Sequence, residues 1–159
     1  MNNANAVPPD ALLLLTSQCP HCPTVLQGLS ELVKKGVIGR LEAVNIQVRG
    51  DIAQQYGVRG VPWIRIGEFE LEGLHSPAEL EQWARRAGSE QGLALYYTEL
   101  LKQGKLPKVL ETIKKVPQNL VALLLLAEDP DTELTVRIGL SAVLEDLAGT
   151  PTLQARLPA

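Results

Sequence analysis

Cys19 and Cys22 are the only two cysteines in a chain of 159 residues. The run Cys19-Pro20-His21-Cys22 sets them two residues apart, a spacing at which two thiols can cycle between dithiol and disulfide. A structural disulfide framework or a four-thiolate zinc site needs more cysteines. The pair therefore points to redox chemistry, or to half of a site shared with another chain. In the redox reading, Cys19 attacks a partner disulfide, a mixed disulfide forms, and Cys22 resolves it. Two other readings stay open at this point. The pair could be half of a zinc site completed by His21, His75 or a second protomer, or it could be an inert structural pair.

The flanking residues predict the elements that hold these thiols. Ala11 to Leu15 is a short apolar run with the length of a buried strand, and Thr16-Ser17-Gln18 is a polar turn. Val25, Leu26, Leu29, Leu32 and Val33 recur at intervals of three and four, the stripe of an amphipathic helix. Cys19 is then expected at the N-cap, with Pro20 at the first helical position, where a missing N–H costs nothing. Free N–H groups and the positive end of the helix dipole favour the Cys19 thiolate. A protonated His21 adds to this, so Pro20 and His21 tune the Cys19 pKa. Cys22, one turn further in, is expected to be the more buried thiol.

Downstream, Gly36 to Gly39 closes the helix and Leu41 to Val48 alternates well enough for a second strand. Asp51 to Tyr56 suits a short helix, and Gly57 to Gly60 is a loop leading to Val61-Pro62. Trp63 to Ile66 and Glu68 to Leu71 alternate about Gly67, the mark of a β-hairpin. Ser76-Pro77-Ala78-Glu79 is a capping box opening a helix that runs through Trp83 to about Ala87. The order strand, helix, strand, helix, strand, strand, helix predicts an α/β unit: a four-stranded mixed central sheet with helices on both faces.

Over roughly the first 90 residues the chain resembles the thioredoxin superfamily, in its minimal, glutaredoxin-like form. The resemblance rests on the strand running into Cys19-Pro20-His21-Cys22, the order of elements, and Val61-Pro62 ahead of the hairpin. It implies a cis bond before Pro62 beside the disulfide, and a Val61 backbone that holds an extended protein substrate by strand-like hydrogen bonds. An ordinary edge-strand proline is the alternative at Pro62. Trp63 either lines a substrate groove with Val61 and Pro62 or fills the core. The tetrad itself is similar to that of bacterial disulfide oxidases of the periplasm. Against that analogy, Gln18 stands where a tryptophan would precede Cys19, and the helical insertion between the second strand and the hairpin is absent. Leu13 replaces the acidic residue that serves Cys22 as proton acceptor, a role that Glu68 or a water could fill. No cofactor and no metal are called for.

Past Gly88 the pattern becomes helical throughout. Leu93, Tyr96, Tyr97, Leu100 and Leu101 form one stripe, and Leu106, Val109, Leu110, Ile113 and Val116 the next. Pro117 opens a helix over Asn119 to Ala127, and Val136, Leu140, Val143, Leu144 and Leu147 form a last stripe ending at Gly149. Leu120 to Gly149 resembles one HEAT repeat, in which Arg137 and an aspartate of Asp129-Pro130-Asp131 would hold the hairpin together. A solenoid stacks several such units, so this one must pack on its neighbours or on a second copy of the chain. The expected organisation is a flexible N-terminus over 1–10, a thioredoxin-like domain over 11–88, an all-α HEAT-like domain over 92–149, and a frayed tail over 150–159.

Composition narrows the function classes. Net charge is −3, from 15 basic and 18 acidic residues spread over both halves, so no basic patch argues for nucleic acid. The apolar content of 45% is enough for cores without disulfide staples. Leu12 to Leu15 is far too short to cross a bilayer, and Met1 to Asp10 lacks the basic start of a secretory signal, so no membrane is expected and the cytoplasm is the expected compartment. His75, ahead of the last N-cap of the first domain, is expected to face solvent. Two functional classes remain: a thiol-disulfide oxidoreductase that exchanges with a protein disulfide or dithiol, and a redox-sensing or structural adaptor whose helical domain binds a partner protein. A homodimer is compatible with either.

Overall fold

The computed structural model describes residues 7–149. The expected flexibility over 150–159 and over most of 1–10 therefore lies outside the described residues. The chain divides into two compact units, one ending at Gly88 and one beginning at Ser89.

The first unit contains β1 (Asp10–Leu15), α1 (Cys22–Lys34), β2 (Arg40–Asn45), α2 (Gly50–Tyr56), β3 (Trp63–Ile66), β4 (Phe69–Glu72) and α3 (Pro77–Arg86). The four strands form one mixed sheet in the order β2-β1-β3-β4. β1 runs parallel to β2, with Leu13 beside Ala43, and antiparallel to β3, with Leu13 beside Ile64. Alternation along the strands sends Ala11, Leu13, Ile64, Ile66, Phe69 and Leu71 to one face, and all six are buried. Each of the five other than Ala11 contributes about 1.5–3 kcal/mol by leaving water. Helices α1 and α3 close this face, with Trp83 of α3 edge-on to Phe69 at 5.0 Å. Gly28 lets the two helices approach, since a Cβ there would lie 3.3 Å from the Leu80 side chain. The opposite face is covered more lightly by α2, whose Tyr56 ring lies 5.2 Å from that of Trp63.

Strand β2 stops at Asn45, three residues short of the expected Val48. The Asn45 side-chain oxygen accepts the Gln47 N–H at 2.9 Å, and the Asn45 carbonyl accepts from Val48 and Arg49, so the chain turns here. The hairpin forms with Ile66 paired to Phe69 across Gly67-Glu68, so its second arm begins one residue later than the expected Glu68. Gly67 has φ +58°, which suits a glycine at the first turn position. The capping box forms in full: Ser76 Oγ accepts the Glu79 N–H, and the Glu79 carboxylate accepts the Ser76 N–H, both at 3.2 Å.

The second unit is wholly helical: α4 (Glu90–Lys102), α5 (Leu106–Lys115), a 3-10 turn (Pro117–Asn119), α6 (Leu120–Glu128) and α7 (Leu134–Ala148). Helix α4 packs against each of α5, α6 and α7, and its Leu93, Tyr96, Tyr97, Leu100 and Leu101 are all buried. Val116, expected on the stripe of α5, is exposed because the helix ends before it. Arg137 braces the α6–α7 loop differently from the expected arginine-aspartate pair. Its guanidinium donates to the backbone carbonyls of Asp129, at 2.6 Å, and Thr132, at 3.1 Å. The Asp129 carboxylate instead accepts the Asp131 N–H at 2.9 Å, closing the turn locally.

Candidate active site

Cys19 and Cys22 form a disulfide. They lie just past the C-terminal end of β1, where the central strand delivers the chain to α1. Cys22 is the more enclosed, 3% exposed against 9% for Cys19, while Pro20 and His21 face solvent.

Helix α1 begins later than the spacing of apolar residues predicts. Its N-cap is His21, with φ −97° and ψ −14°, and the first intrahelical bond runs from the Val25 N–H to the His21 carbonyl at 3.2 Å. Cys19 is thus not the N-cap, and Pro20 precedes the helix. The reason is Pro23. An N-cap at Cys19 needs its carbonyl to accept an N–H from residue 23, and proline has none to give. That signal stands in the sequence, one residue beyond the tetrad. Pro23 itself occupies the second helical position, where an N–H would have no partner anyway.

Val61 and Pro62 form the only cis peptide bond among the described residues. The Pro62 carbonyl is occupied by the Gly73 N–H at 2.9 Å, and Pro62 is buried. Val61 is half-buried, and neither its N–H nor its carbonyl has a hydrogen-bond partner among the described residues. Trp63 is 2% exposed and packed on Tyr56, so of its two readings the burial supports core filling, and it offers no surface to a groove.

The acid that would serve Cys22 is not replaced from within the fold. Leu13 is fully buried in the sheet, and no polar or charged side chain is buried among the described residues. Glu68 lies in the hairpin turn, and Gly67 beside it donates to the Asp10 carbonyl, at the opposite end of β1 from the cysteines. At 3.3 Å per residue the strand separates them by roughly 16 Å. Glu68 is also engaged, accepting the Gly88 N–H at 3.1 Å.

His75 is more enclosed than expected, with its side chain 20% exposed. Its Nδ1 meets Glu79 Oε2 at 3.2 Å, and its Nε2 meets the Glu72 carbonyl at 3.1 Å, tying the end of β4 to the start of α3. The Ser76 N–H, with His75 beside it, holds the Glu79 carboxyl below its usual range. Among the described residues no three histidine, cysteine, aspartate or glutamate side chains converge as metal ligands. No helix among them is long and apolar enough to cross a membrane.

A family model described as a thioredoxin domain matches residues 11–85. No curated protein matches the chain. Among solved structures, the chain is similar to an uncharacterized thioredoxin-like protein from Clostridium perfringens, determined in solution. The two are 21% identical, the match covers 54% of this chain and 75% of that one, and the TM-score is 0.42. With the cysteine pair at the end of the central strand, the sheet order β2-β1-β3-β4 and the match over residues 11–85, the first unit is a thioredoxin-like domain.

Proposed function

We propose that the chain is a thiol-disulfide oxidoreductase acting on a protein partner, with Cys19 as nucleophile and Cys22 as resolving thiol. The observation that carries this reading is the Cys19–Cys22 disulfide held where β1 meets α1 in a thioredoxin-like domain. In the reducing direction the Cys19 thiolate attacks one sulfur of a partner disulfide and releases the other as a thiolate. Cys22 then attacks the Cys19 sulfur, re-forms the intramolecular disulfide and frees the partner's second thiol. Two electrons pass to the partner, and the reverse sequence oxidises a partner dithiol.

The greater exposure of Cys19 supports its role as the sulfur that meets the partner, and the deeper position of Cys22 supports the resolving role. The unengaged backbone of Val61 supports strand-like docking of an extended partner segment beside the cysteines. Without a buried carboxylate near Cys22, its proton goes to the departing partner thiolate or to solvent. That favours slow resolution and a long-lived mixed disulfide.

A second reading is favoured by one feature of the helical unit. Leu134 and Ile138, one turn apart on α7, are 72% and 64% exposed. Such an apolar pair suits an adaptor that binds a partner protein through this unit while the cysteines sense redox state. The discriminating experiment is insulin reduction with the wild type and Cys19→Ser. Turnover by the wild type that is abolished in the variant is the expected result. No turnover by the wild type, with cysteines that still cycle, would instead favour the adaptor.

A further inference from the structure

Between Leu15 and Cys22 the chain crosses open ground, and its own turn is weakly held. The Cys19 N–H reaches the Thr16 carbonyl at 3.4 Å, the long end of a hydrogen bond. Ser17 supplies what the turn lacks. Its N–H donates to Gln47 Oε1 at 3.1 Å, and its Oγ accepts from Asn45 Nδ2 at 3.1 Å. Asn45 Oδ1 accepts the Gln47 N–H at 2.9 Å, so the three residues close a ring of hydrogen bonds. The ring sits where the β1–β2 ladder makes its last bond, from the Ile46 N–H to the Leu15 carbonyl at 2.9 Å. Among the described residues, no other hydrogen bond joins the segment from Thr16 to Pro20 to a different element.

We propose that Ser17, Asn45 and Gln47 form a clasp that positions Cys19 against Cys22 in the dithiol form, and thereby sets the redox equilibrium of the pair. In the disulfide form the covalent bond fixes Cys19 with or without the clasp. Once that bond is reduced, the clasp is the tether that keeps the Cys19 sulfur near its partner. Loosening it lowers the effective concentration of one thiol at the other, as lengthening a linker does. The disulfide then forms at a greater entropic cost, and the pair becomes more oxidising. This role rests on the redox reading of the pair, but it requires no protein substrate.

The test is equilibration of the reduced full-length protein with glutathione disulfide. Protein dithiol and one glutathione disulfide give protein disulfide and two glutathione thiols, with two electrons passing to glutathione. The Asn45→Ala/Gln47→Ala protein is expected to lower this equilibrium constant about three- to tenfold. Converted at about 30 mV per tenfold change, that is a rise in potential of about 15–30 mV. Ser17→Ala, which keeps the N–H bond to Gln47, should shift it less, and serves if the double variant folds poorly. By linkage a clasp that favours the disulfide is itself favoured by it, so the double variant should cost the oxidised protein more stability than the reduced protein, by that same fold-change. An unchanged equilibrium constant in both variants overturns the proposal, as does a loss of stability in the reduced protein equal to or greater than that in the oxidised protein. Failure of insulin reduction would remove the oxidoreductase reading and leave this measurement intact.

Discussion

Replacing Pro23 by alanine tests why α1 starts at Cys22. His21 already has near-helical dihedrals, φ −97° and ψ −14°, so a longer helix needs only Pro20 to adopt the first helical position, which suits proline. Alanine at 23 supplies the N–H that the Cys19 carbonyl lacks. The new bond is worth about 0.5–1.5 kcal/mol, and losing proline's restriction of the unfolded chain costs about 0.4–1 kcal/mol. Overall stability should therefore move by less than about 1 kcal/mol in either direction. The larger effect falls on Cys19, which becomes the N-cap and gains the positive end of the helix dipole, worth about 0.3–1 kcal/mol for an anion there. Alkylation of Cys19 by iodoacetamide below its titration, in a Cys22→Ser background, should then run about two- to fivefold faster with Pro23→Ala than without it. Amide exchange at residue 23 reports the new bond directly. If the residue 23 amide exchanges freely and the helix still begins at Cys22, the missing donor of Pro23 is not what sets the start.

Trp63→Ala should cost about 3–5 kcal/mol in urea denaturation, as emptying a packed core site does; a cost below about 1 kcal/mol would return Trp63 to the surface. Ser76→Ala should lose about 1 kcal/mol, because the Glu79 N–H loses its cap. Glu79 is held below its usual range in the folded protein, so its contribution is present above the unfolded value and disappears as pH falls through the folded one. Glu79→Gln should accordingly flatten the acid limb of a stability-against-pH curve between about pH 5 and 3, and an unchanged limb would contradict the assignment. Arg137→Lys should destabilise the helical unit by about 1–2 kcal/mol, since lysine lacks the planar fork that spans two carbonyls. Equal melting curves for wild type and Arg137→Lys would show that the fork contributes nothing.

Where local chemistry alone decides the backbone, the sequence was readable in advance. The apolar run Ala11 to Leu15 marked β1, alternation about Gly67 marked the hairpin to within a residue, Ser76 to Glu79 specified the start of α3, and Gly88 marked the change to an all-helical pattern. Misreadings occurred where one residue overrides the pattern around it. The apolar stripe of α1 carries no information about its first turn, which Pro23 decides. Alternation runs on to Val48, but the Asn45 side chain turns the chain before that. Position across the sheet was the least readable property. Glu68 is adjacent to a strand in sequence, yet the hairpin places it at the far end from the cysteines. His75 reads as a surface residue until the carbonyl of Glu72 and the carboxylate of Glu79 are brought to its two ring nitrogens. The clasp of Ser17 with Asn45 and Gln47 joins residues about thirty positions apart, and only the parallel pairing of β1 with β2 brings them together.

The stretch from Ile46 to Val61 holds no buried residue, and α2 within it lays the ring of Tyr56 against Trp63. Doubling the length of a flexible connection costs only about 0.6 kcal/mol in closure entropy. This crossover is therefore the place where the fold can gain sequence most cheaply. It is bounded at one end by the residues that clasp the turn before Cys19 and at the other by Val61 and Pro62, so any added segment would emerge at the rim of the redox site. A lineage, or a designer, could change which partners reach the cysteines here while leaving every strand of the sheet in register.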